Sequence, residues 1–324
     1  MTAQPHVRRD NLPTRVTIRE VGPRDGLQAE EPLPVKQRAG LIDMLNGANL
    51  PKIEAVSFVS PKAVPAMADA AEVWKLARHR PDVQYSALVP NRRGAEAAIE
   101  AGGFSSLQGF LAASEGYNQK NVGKSVEESL EDVRDVAEIA SARGIPTEVT
   151  ISSSFGDAYE GPVEPERVIG VAERVAEIGA VGVSLADTTG MATPRQVWDL
   201  VPLVRDRLPG IRLNLHFHDN RGAAMANVLA GLEVGVEEFD ASIGGLGGSP
   251  FAPTAGGNVA TEDLVVMLER MGIATGVDLL SLFTAARMLE GIIGRPLPGA
   301  AWRAEYPERG WAAPDHPRAR REHL

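Results

Sequence analysis

The stretch that decides the fold is residues 172–218, which begins A-E-R-V-A-E-I-G-A-V-G-V-S-L-A and ends R-L-N-L-H-F-H. Its first eight residues have helical spacing and end on Gly179, as a helix C-terminus commonly does. Residues 180–186 and 212–218 are short runs of recurring apolar residues, which are typical of buried strands. A helix followed by two such strands, with further sequence between them, indicates βα units and a parallel sheet.

Six further runs have the composition of strands, and stretches of helical period separate them. One of these stretches stops at Gly47, and another begins with Ser125 and Glu128 spaced as a capping box. The six additional strands are 15–21, 52–58, 83–89, 106–111, 146–152 and 236–242. Eight strands alternating with helices over about 275 residues predict a (β/α)8 TIM barrel. Helices over 261–272 and 277–292 are expected after the eighth strand.

A doubly wound open sheet is the competing architecture, because it has the same alternation of strands and helices. The sequence has no G-x-G-x-x-G after the first strand, which argues against a dinucleotide-binding sheet. No Pro/Gly/Ser-rich linker divides the chain. We therefore expect one domain over 15–294, with a disordered lead over 1–14 and an extended tail rich in Pro, Arg and Glu over 295–324.

The composition excludes several classes of function. A net charge of −10 and a pI near 5.2 argue against nucleic acid or an anionic membrane as partner, since both call for a basic surface. The chain has no cysteine, which excludes disulfides and thiolate metal sites. No run of 18 apolar residues is present, and the Arg pair near the N-terminus has no apolar stretch behind it. A cytoplasmic protein is expected.

Polar residues follow the predicted strands where a barrel places its chemistry, at the carboxyl ends. The seventh strand ends H-F-H-D-N, so His216 and His218 lie two residues apart and project from the same face. Two neutral imidazoles in this arrangement are suitable ligands for a divalent cation. The alternative is one hydrogen-bonded histidine next to a surface histidine.

Three other strand ends carry candidate polar groups. Glu54 lies in the apolar run I-E-A-V-S-F, and a buried carboxylate needs a partner such as Arg24. Asp25 in G-P-R-D-G and Asp187 in A-D-T-T-G are either site residues or ordinary turn residues. Asn258, after a pair of glycines, is either a site residue or a helix cap.

The segment G-G-L-G-G-S-P covers residues 244–250 and has four glycines in five positions. Each glycine costs roughly 0.5–1 kcal/mol against alanine in ordered structure. Either another group approaches this backbone closely, or the backbone turns in a way that a Cβ forbids. Ser249 at its end is a candidate participant in the chemistry.

These motifs resemble the hydroxymethylglutaryl-CoA lyases. The first-strand signature is V-T-I-R-E-V-G-P-R-D-G-L-Q-A-E, and the likeness continues in S-L-A-D-T-T-G, H-F-H-D, A-S-I-G-G-L-G-G and A-G-G-N-V-A-T-E-D-L. It covers roughly residues 15–290. These lyases belong to a metal-dependent (β/α)8 superfamily that also contains isopropylmalate and homocitrate synthases.

The resemblance implies a role for each matching residue. Arg24 would stabilise an enolate oxygen, and Glu54 would hold that arginine. The implied ligands of Mg²⁺ or Mn²⁺ are Asp25, His216, His218 and Asn258. The implied substrate-binding residues are Gln28, Ser57, Ser184 and Asp187, together with Gly245, Gly247 and Gly248 in a flexible flap.

The implied reaction is retro-Claisen cleavage of a 3-hydroxyacyl-CoA, such as hydroxymethylglutaryl-CoA or a close analogue, to a keto acid and an acyl-CoA. His216 or Asp25 is the expected acceptor of the hydroxyl proton. Ser249 stands where the family has a cysteine that returns a proton to the enolate. A hydroxyl is a poor acid at neutral pH, so the usual substrate is in question.

The chain departs from the family pattern elsewhere as well. The fifth strand reads T-E-V-T-I-S, with Glu148 and Thr150 where the family has arginine and tyrosine. Alternative functions are a superfamily aldolase or synthase, a non-catalytic acyl-CoA- or metal-binding relative, and a phosphate-binding glycine loop. A homo-oligomer, a dimer or larger, is expected.

Overall fold

Eight parallel strands close into a barrel in chain order in the computed structural model, which describes residues 12–248 and 256–305. The predicted (β/α)8 barrel is confirmed, and every predicted strand lies within two residues of the observed one at each end. The strands are β1 Thr17–Glu20, β2 Lys52–Ser57, β3 Gln84–Leu88, β4 Ser106–Ala112, β5 Thr147–Ser152, β6 Gly182–Asp187, β7 Arg212–Phe217 and β8 Glu238–Ala241.

Helices surround the barrel, and the two expected after the eighth strand are present. The capping box of Ser125 and Glu128 is confirmed, and Gly179 adopts a positive φ of 101° just after a helix. The helices are α1 Val35–Gly47, α2 Ala70–Leu76, α3 Arg92–Ala101, α4 Glu115–Val122, α5 Val126–Ser141, α6 Pro165–Glu177, α7 Pro194–Arg207, α8 Ala224–Glu233, α9 Thr261–Arg270, α10 Leu279–Ile293 and α11 Ala301–Glu305. Among these helices, none is long and apolar enough to cross a membrane.

The core lies between the outer face of the barrel and the helices. Leu215 on β7 and Phe239 on β8 are fully buried against α8. They lie so close to Gly231 that a Cβ there would be 2.7 Å from Leu215 Cδ1. Because side chains alternate along a strand, the residues on either side of Leu215 and Phe239 face the barrel interior, which places His216 and Asp240 inside.

A disordered lead and an extended tail were predicted at the two ends of the chain. Within the described residues, 12–14 and 295–305, both predictions are wrong. Residues 12–14 pack on the barrel, where Leu12 contacts the core and Thr14 accepts a hydrogen bond of 3.0 Å from Ala274 N. Leu297 and Trp302 are buried, and residues 301–305 form α11. Composition suggested an extended tail, but these two apolar side chains fix residues 295–305 to the barrel. Residues 1–11 and 306–324 lie outside the described residues.

Candidate active site

A cleft of about 290 Å³ opens at the carboxyl end of the barrel. This is the end at which (β/α)8 enzymes hold their active sites. Six of the predicted catalytic, substrate-binding and metal-binding residues line this cleft, namely Arg24, Asp25, Gln28, Ser57, His216 and His218.

The segment after β1 forms a single π-helical turn over Gly22–Gly26. Such turns are rare and frequently occur at functional sites. A Cβ at Gly22 would be 2.5 Å from Glu20 Oε1, and a Cβ at Gly26 would be 2.6 Å from Ser242 Oγ. Two glycines are therefore required for this turn to pack against the segment after β8, and the packing holds Asp25 at the barrel mouth.

The two histidines of the H-x-H motif face each other inside the barrel. Their Nε2 atoms are 3.2 Å apart, while Nδ1 of His216 is 3.0 Å from Asp240 Oδ2 and Nδ1 of His218 is 2.7 Å from Gly256 O. Because each Nδ1 faces an oxygen acceptor, hydrogen bonding places the ring proton there. When both rings are neutral, two unprotonated Nε2 lone pairs point at each other, an arrangement that a cation between them would stabilise.

The protonation of the two rings follows from their surroundings. Burial lowers the pKa of His218 to about 4, so its ring is neutral. Burial also acts to lower the pKa of His216, but the hydrogen bond to Asp240 and the nearby charge of Asp25 outweigh it and raise that pKa overall. A neutral His218 beside the carboxylate of Asp25 is compatible with a cation site.

Asp25 and Asn258 complete the cluster. Donor atoms of Asp25, His216 and His218 all lie within 4.8 Å of one another. Asn258 Nδ2 donates to Asp25 Oδ2 at 2.7 Å, and its buried Oδ1 has no hydrogen-bond partner among the described residues. A carboxylate, two imidazoles and a free amide oxygen suit a hard-to-borderline divalent cation, so these residues fit the metal that the sequence resemblance implies.

Arg24 lies between two carboxylates at the edge of this cluster. Its Nη1 donates to Asp25 Oδ1 at 2.6 Å, and its Nε donates to Glu54, which is fully buried on β2. The predicted pairing of Arg24 with Glu54 is confirmed. Burial acts to raise the pKa of Asp25, but the charge of Arg24, together with the nearby histidines and the hydrogen bond from Asn258, outweighs it, and the pKa lies below its ordinary value.

Gln28 and Ser57 also take their expected places in the cleft. Gln28 Nε2 donates to Asp25 Oδ1 at 2.9 Å and to Gly248 O at 3.0 Å. These two hydrogen bonds link the candidate metal ligands to the glycine segment. The Ser57 hydroxyl is buried without a hydrogen-bond partner among the described residues, and it lines the cleft. A bound substrate could occupy this open hydrogen-bonding position.

Ser184 and Asp187 do not line the cleft. Ser184 lies deeper in the barrel, where its Oγ accepts a hydrogen bond of 2.9 Å from Asn214. Asp187 Oδ1 accepts from the backbone N–H groups of Met191 and Ala192 at 2.7 and 3.0 Å. Its geometry is that of a turn residue, the alternative that the sequence left open, and burial raises its pKa to about 7.

Residues 244–248 of the glycine segment form a packed turn. The flexible flap stays a prediction. Gly244 and Gly245 are buried with φ near 70°, a conformation that favours glycine. Gly244 N donates to both oxygens of Glu262 at 2.9 Å. A Cβ at Gly245 would be 3.2 Å from Gly299 N.

Gly247 and Gly248, the other two glycines of the segment, lie against the candidate metal ligands and Gln28. A Cβ at Gly247 would collide with Asn258, and the buried Gly248 offers its carbonyl to Gln28. Gly244, Gly245 and Gly247 are required by close packing against Asn258 and residues 297–299. Ser249 lies outside the described residues.

A buried polar network beneath the cleft was not predicted. Asp240 on β8 receives the His216 Nδ1–H, and Arg19 on β1 donates to both Asp240 oxygens at 2.7 and 2.8 Å. Both are charged residues at inward positions of short apolar strands. That pattern was available in the sequence, but only the closed barrel shows which face is inward.

Glu148 and Thr150, the two residues of β5 that depart from the family pattern, lie in different parts of the barrel. Glu148 lies beneath the cleft, where it accepts from Arg19 at 3.1 Å and from Arg212 at 2.8 Å. Thr150 lines the cleft and accepts a hydrogen bond of 3.0 Å from Gln108. Only Thr150 of this pair is in a position to contact a substrate.

The fold and the cluster together define a (β/α)8 barrel enzyme with a candidate divalent-metal centre at its carboxyl end. Residues 15–289 match the family model described as HMGL-like. The chain belongs to the HMGL-like family, a family of divalent-metal-dependent lyases, and it is a carbon–carbon lyase of the hydroxymethylglutaryl-CoA lyase type.

Three relatives illustrate the similarity. The hydroxymethylglutaryl-CoA lyase YngG of Bacillus subtilis is 45% identical, covering 88% of this chain and 96% of its own. The 3-hydroxy-3-isohexenylglutaryl-CoA/hydroxymethylglutaryl-CoA lyase of Pseudomonas aeruginosa is 43% identical, covering 88% and 95%. The structure of a hydroxymethylglutaryl-CoA lyase from Acinetobacter baumannii, in complex with coenzyme A and 3-methylmalate, superimposes with a TM-score of 0.88 at 37% identity, covering 98% and 99%.

Proposed function

We propose that this chain holds Mg²⁺ or Mn²⁺ through Asp25, His216, His218 and Asn258 and cleaves a 3-hydroxyacyl-CoA to a keto acid and an acyl-CoA. The observation that carries the proposal is the pair of facing Nε2 atoms, 3.2 Å apart, with Asp25 in the same cluster. A divalent ion bound there would lower the pKa of the substrate's 3-hydroxyl group.

His216 and Asp25 have different roles in the proposed reaction. Nδ1 of His216 faces Asp240, so only Nε2 is available, and one nitrogen cannot be a ligand and a base at the same time. Asp25 has two carboxylate oxygens, and Oδ1 and Oδ2 have different partners. We therefore assign His216 as a metal ligand only. Asp25 is assigned as a metal ligand that also accepts the hydroxyl proton.

Arg24 supplies the positive charge for the next step. When the C2–C3 bond breaks, negative charge develops on the thioester oxygen of the departing acyl-CoA enolate. The Arg24 guanidinium lines the cleft, and Glu54 holds it from behind. A fixed cation aimed at a developing charge in a cleft that excludes water lowers the barrier by several kcal/mol.

The substrate we propose is hydroxymethylglutaryl-CoA or a close analogue with a larger group on C3. The named activities of the relatives from Bacillus subtilis and Pseudomonas aeruginosa support a CoA ester of a 3-hydroxy acid. Thr150 stands in the cleft wall near Leu88 and Phe110, where the family pattern has tyrosine. Threonine is smaller, so this wall leaves more room for an apolar substituent.

Ser249 is the residue that we propose in place of the thiol proton donor. We expect Ser249→Cys to raise kcat on hydroxymethylglutaryl-CoA by roughly tenfold or more, because a thiol is a much stronger acid than a hydroxyl group. Release of the keto acid measures the rate. Ser249→Ala is the matched control and should be slower than the wild type.

A gain for Ser249→Cys with a loss for Ser249→Ala would support this role. Equal rates for all three proteins would show that the proton comes from another group. The expected homo-oligomer is part of the same proposal, and analytical ultracentrifugation of the purified chain tests it.

A further inference from the structure

We propose that Arg19 is a positioning residue for the metal centre: it fixes Asp240 so that this carboxylate orients His216 with Nε2 in the ligand cluster. The inference rests on the proposed function, because it requires His216 to be a metal ligand. Arg19 lines no part of the cleft and therefore acts only through its neighbours.

The contact between Arg19 and Asp240 has the geometry of a two-point clamp. Nε donates to Oδ1 at 2.7 Å and Nη2 donates to Oδ2 at 2.8 Å. The two residues are directly paired in the register of β1 and β8, and they are only 2% and 4% exposed. Two parallel hydrogen bonds between a planar guanidinium and a planar carboxylate fix the orientation of the carboxylate as well as its position.

The orientation of Asp240 is passed on to His216. The same Oδ2 that receives Arg19 Nη2 is 3.0 Å from His216 Nδ1, while Asn214 Nδ2 donates to Oδ1 at 2.8 Å. A carboxylate that accepts Nδ1–H selects the tautomer in which Nε2 is free, and it also fixes the rotation of the ring. Asp240 therefore sets both the chemical state and the direction of the ligand nitrogen.

Arg19 is itself held from the opposite side. Its Nη1 donates to Gln108 Oε1 at 2.8 Å and to Glu148 Oε2 at 3.1 Å. Glu148 in turn receives Arg212. Arg19 is thus fixed by two acceptors besides Asp240, so the clamp has little freedom to move. Without the guanidinium, Asp240 would be a buried carboxylate whose remaining partners are Asn214 and His216.

The experiment measures Mn²⁺ binding to the metal-free protein by titration calorimetry, together with the ¹⁵N shifts of the His216 ring. We expect Arg19→Met and Asp240→Asn each to weaken Mn²⁺ binding by roughly 10–100-fold, the usual effect of losing a group that orients a ligand. Arg212→Met is the matched control. Arg212 pairs with Glu148 but not with Asp240. The Mn²⁺ affinity of Arg212→Met should therefore stay within about threefold of the wild type.

A double variant separates positioning from simple stability. Arg19→Met combined with Asp240→Asn removes both buried charges, so the melting temperature should recover relative to Arg19→Met alone. Mn²⁺ binding should remain weak, because His216 still lacks its anionic acceptor. At a pH where the His216 ring is neutral, the ¹⁵N shifts in the single variants should show a mixture of His216 tautomers, whereas the metal-free wild type should show the Nδ1–H form.

Wild-type Mn²⁺ affinity in Arg19→Met would overturn the inference, and so would recovery of both stability and affinity in the double variant. Failure of the proposed function gives a different result, since the wild type itself would then bind no Mn²⁺. A wild type that binds Mn²⁺, with no change in Arg19→Met, contradicts the positioning role alone.

Discussion

Arg19 and Arg24 are buried arginines five residues apart, and each is paired with a carboxylate, yet their donors are used differently. All three nitrogens of Arg19 donate to protein acceptors, on β4, β5 and β8. Arg24 uses Nε and Nη1, and its Nη2 has no hydrogen-bond partner among the residues that the structure describes. Arg24, at the barrel mouth, thus has one nitrogen available for the substrate that we propose, whereas every side-chain nitrogen of Arg19 donates to the protein.

The buried carboxylates fall into two groups, those paired with an arginine and those without one. Arg19 holds the pKa of Asp240 well below its usual range against the effect of burial, and Arg24 does the same for Asp25. Glu20 and Glu262 lie under the glycine segment with no arginine beside them among the described residues, and burial raises their pKa values to about 7 and about 8. Burial by itself neutralises a carboxylate, so the two arginines keep their partners charged.

The largest expected effect in this comparison comes from Arg24. Arg24→Met should lower kcat by about 10²–10³-fold, because the enolate loses its fixed cation. Mn²⁺ affinity should change much less than in Arg19→Met. Keto acid release and Mn²⁺ titration of the same preparations measure the two quantities.

Arg24→Lys is the control for charge without the planar guanidinium, and its kcat should lie between the wild type and Arg24→Met. If kcat and Mn²⁺ affinity fell in parallel in Arg24→Met, the two arginines would share one role and the comparison would fail.

A smaller effect is expected for Glu54→Gln, which keeps an acceptor for Arg24 Nε but removes the charge. Weakening a charge-assisted hydrogen bond by about 1.5 kcal/mol corresponds to roughly a tenfold fall in kcat. Because Glu54 acts through Arg24, adding Glu54→Gln to Arg24→Met should lower kcat no further. Independent effects in the double variant would show that Glu54 has a role of its own.

The smallest effect concerns the carboxylates without an arginine. Folding raises the pKa of Glu262 from 4.5 to about 8, so the folded chain binds more protons than the unfolded chain between these values. The free energy of unfolding should therefore fall as pH rises from about 4.5 to 8. Glu262→Gln should reduce this fall, and Glu20, with the same sign of shift, should retain part of it.

Urea unfolding at pH 5.5, 7 and 8 measures the dependence. An unchanged dependence of unfolding free energy on pH in Glu262→Gln would show that this carboxylate is charged in the folded protein.

Local rules were sufficient for the strands and for the paired histidines. The period of two along β7 places His216 and His218 on one face whatever the rest of the chain does. The Arg24–Glu54 pair followed from the cost of burying an unpaired carboxylate. Asp25 and Asn258 came from the family resemblance, because residues so far apart in sequence meet only when the barrel closes.

The residues that were missed or misplaced depend on that closure. Asp240 and Arg19 are neighbours only through the register of β1 with β8. Ser184 lies one layer too deep to reach the cleft, since it pairs with Asn214 while Ala186 pairs with His216. The glycine segment is packed by residues 297–299, which the sequence interpretation had assigned to an extended tail.

Metal-dependent cleavage is the central claim, and turnover of hydroxymethylglutaryl-CoA by chelator-treated protein, with and without added Mn²⁺, tests it most directly. We predict equal amounts of keto acid and acyl-CoA when Mn²⁺ is present and no product in its absence. His218→Ala should be inactive under both conditions. Cleavage by the metal-free protein at the same rate as by the protein with added Mn²⁺ would contradict the account.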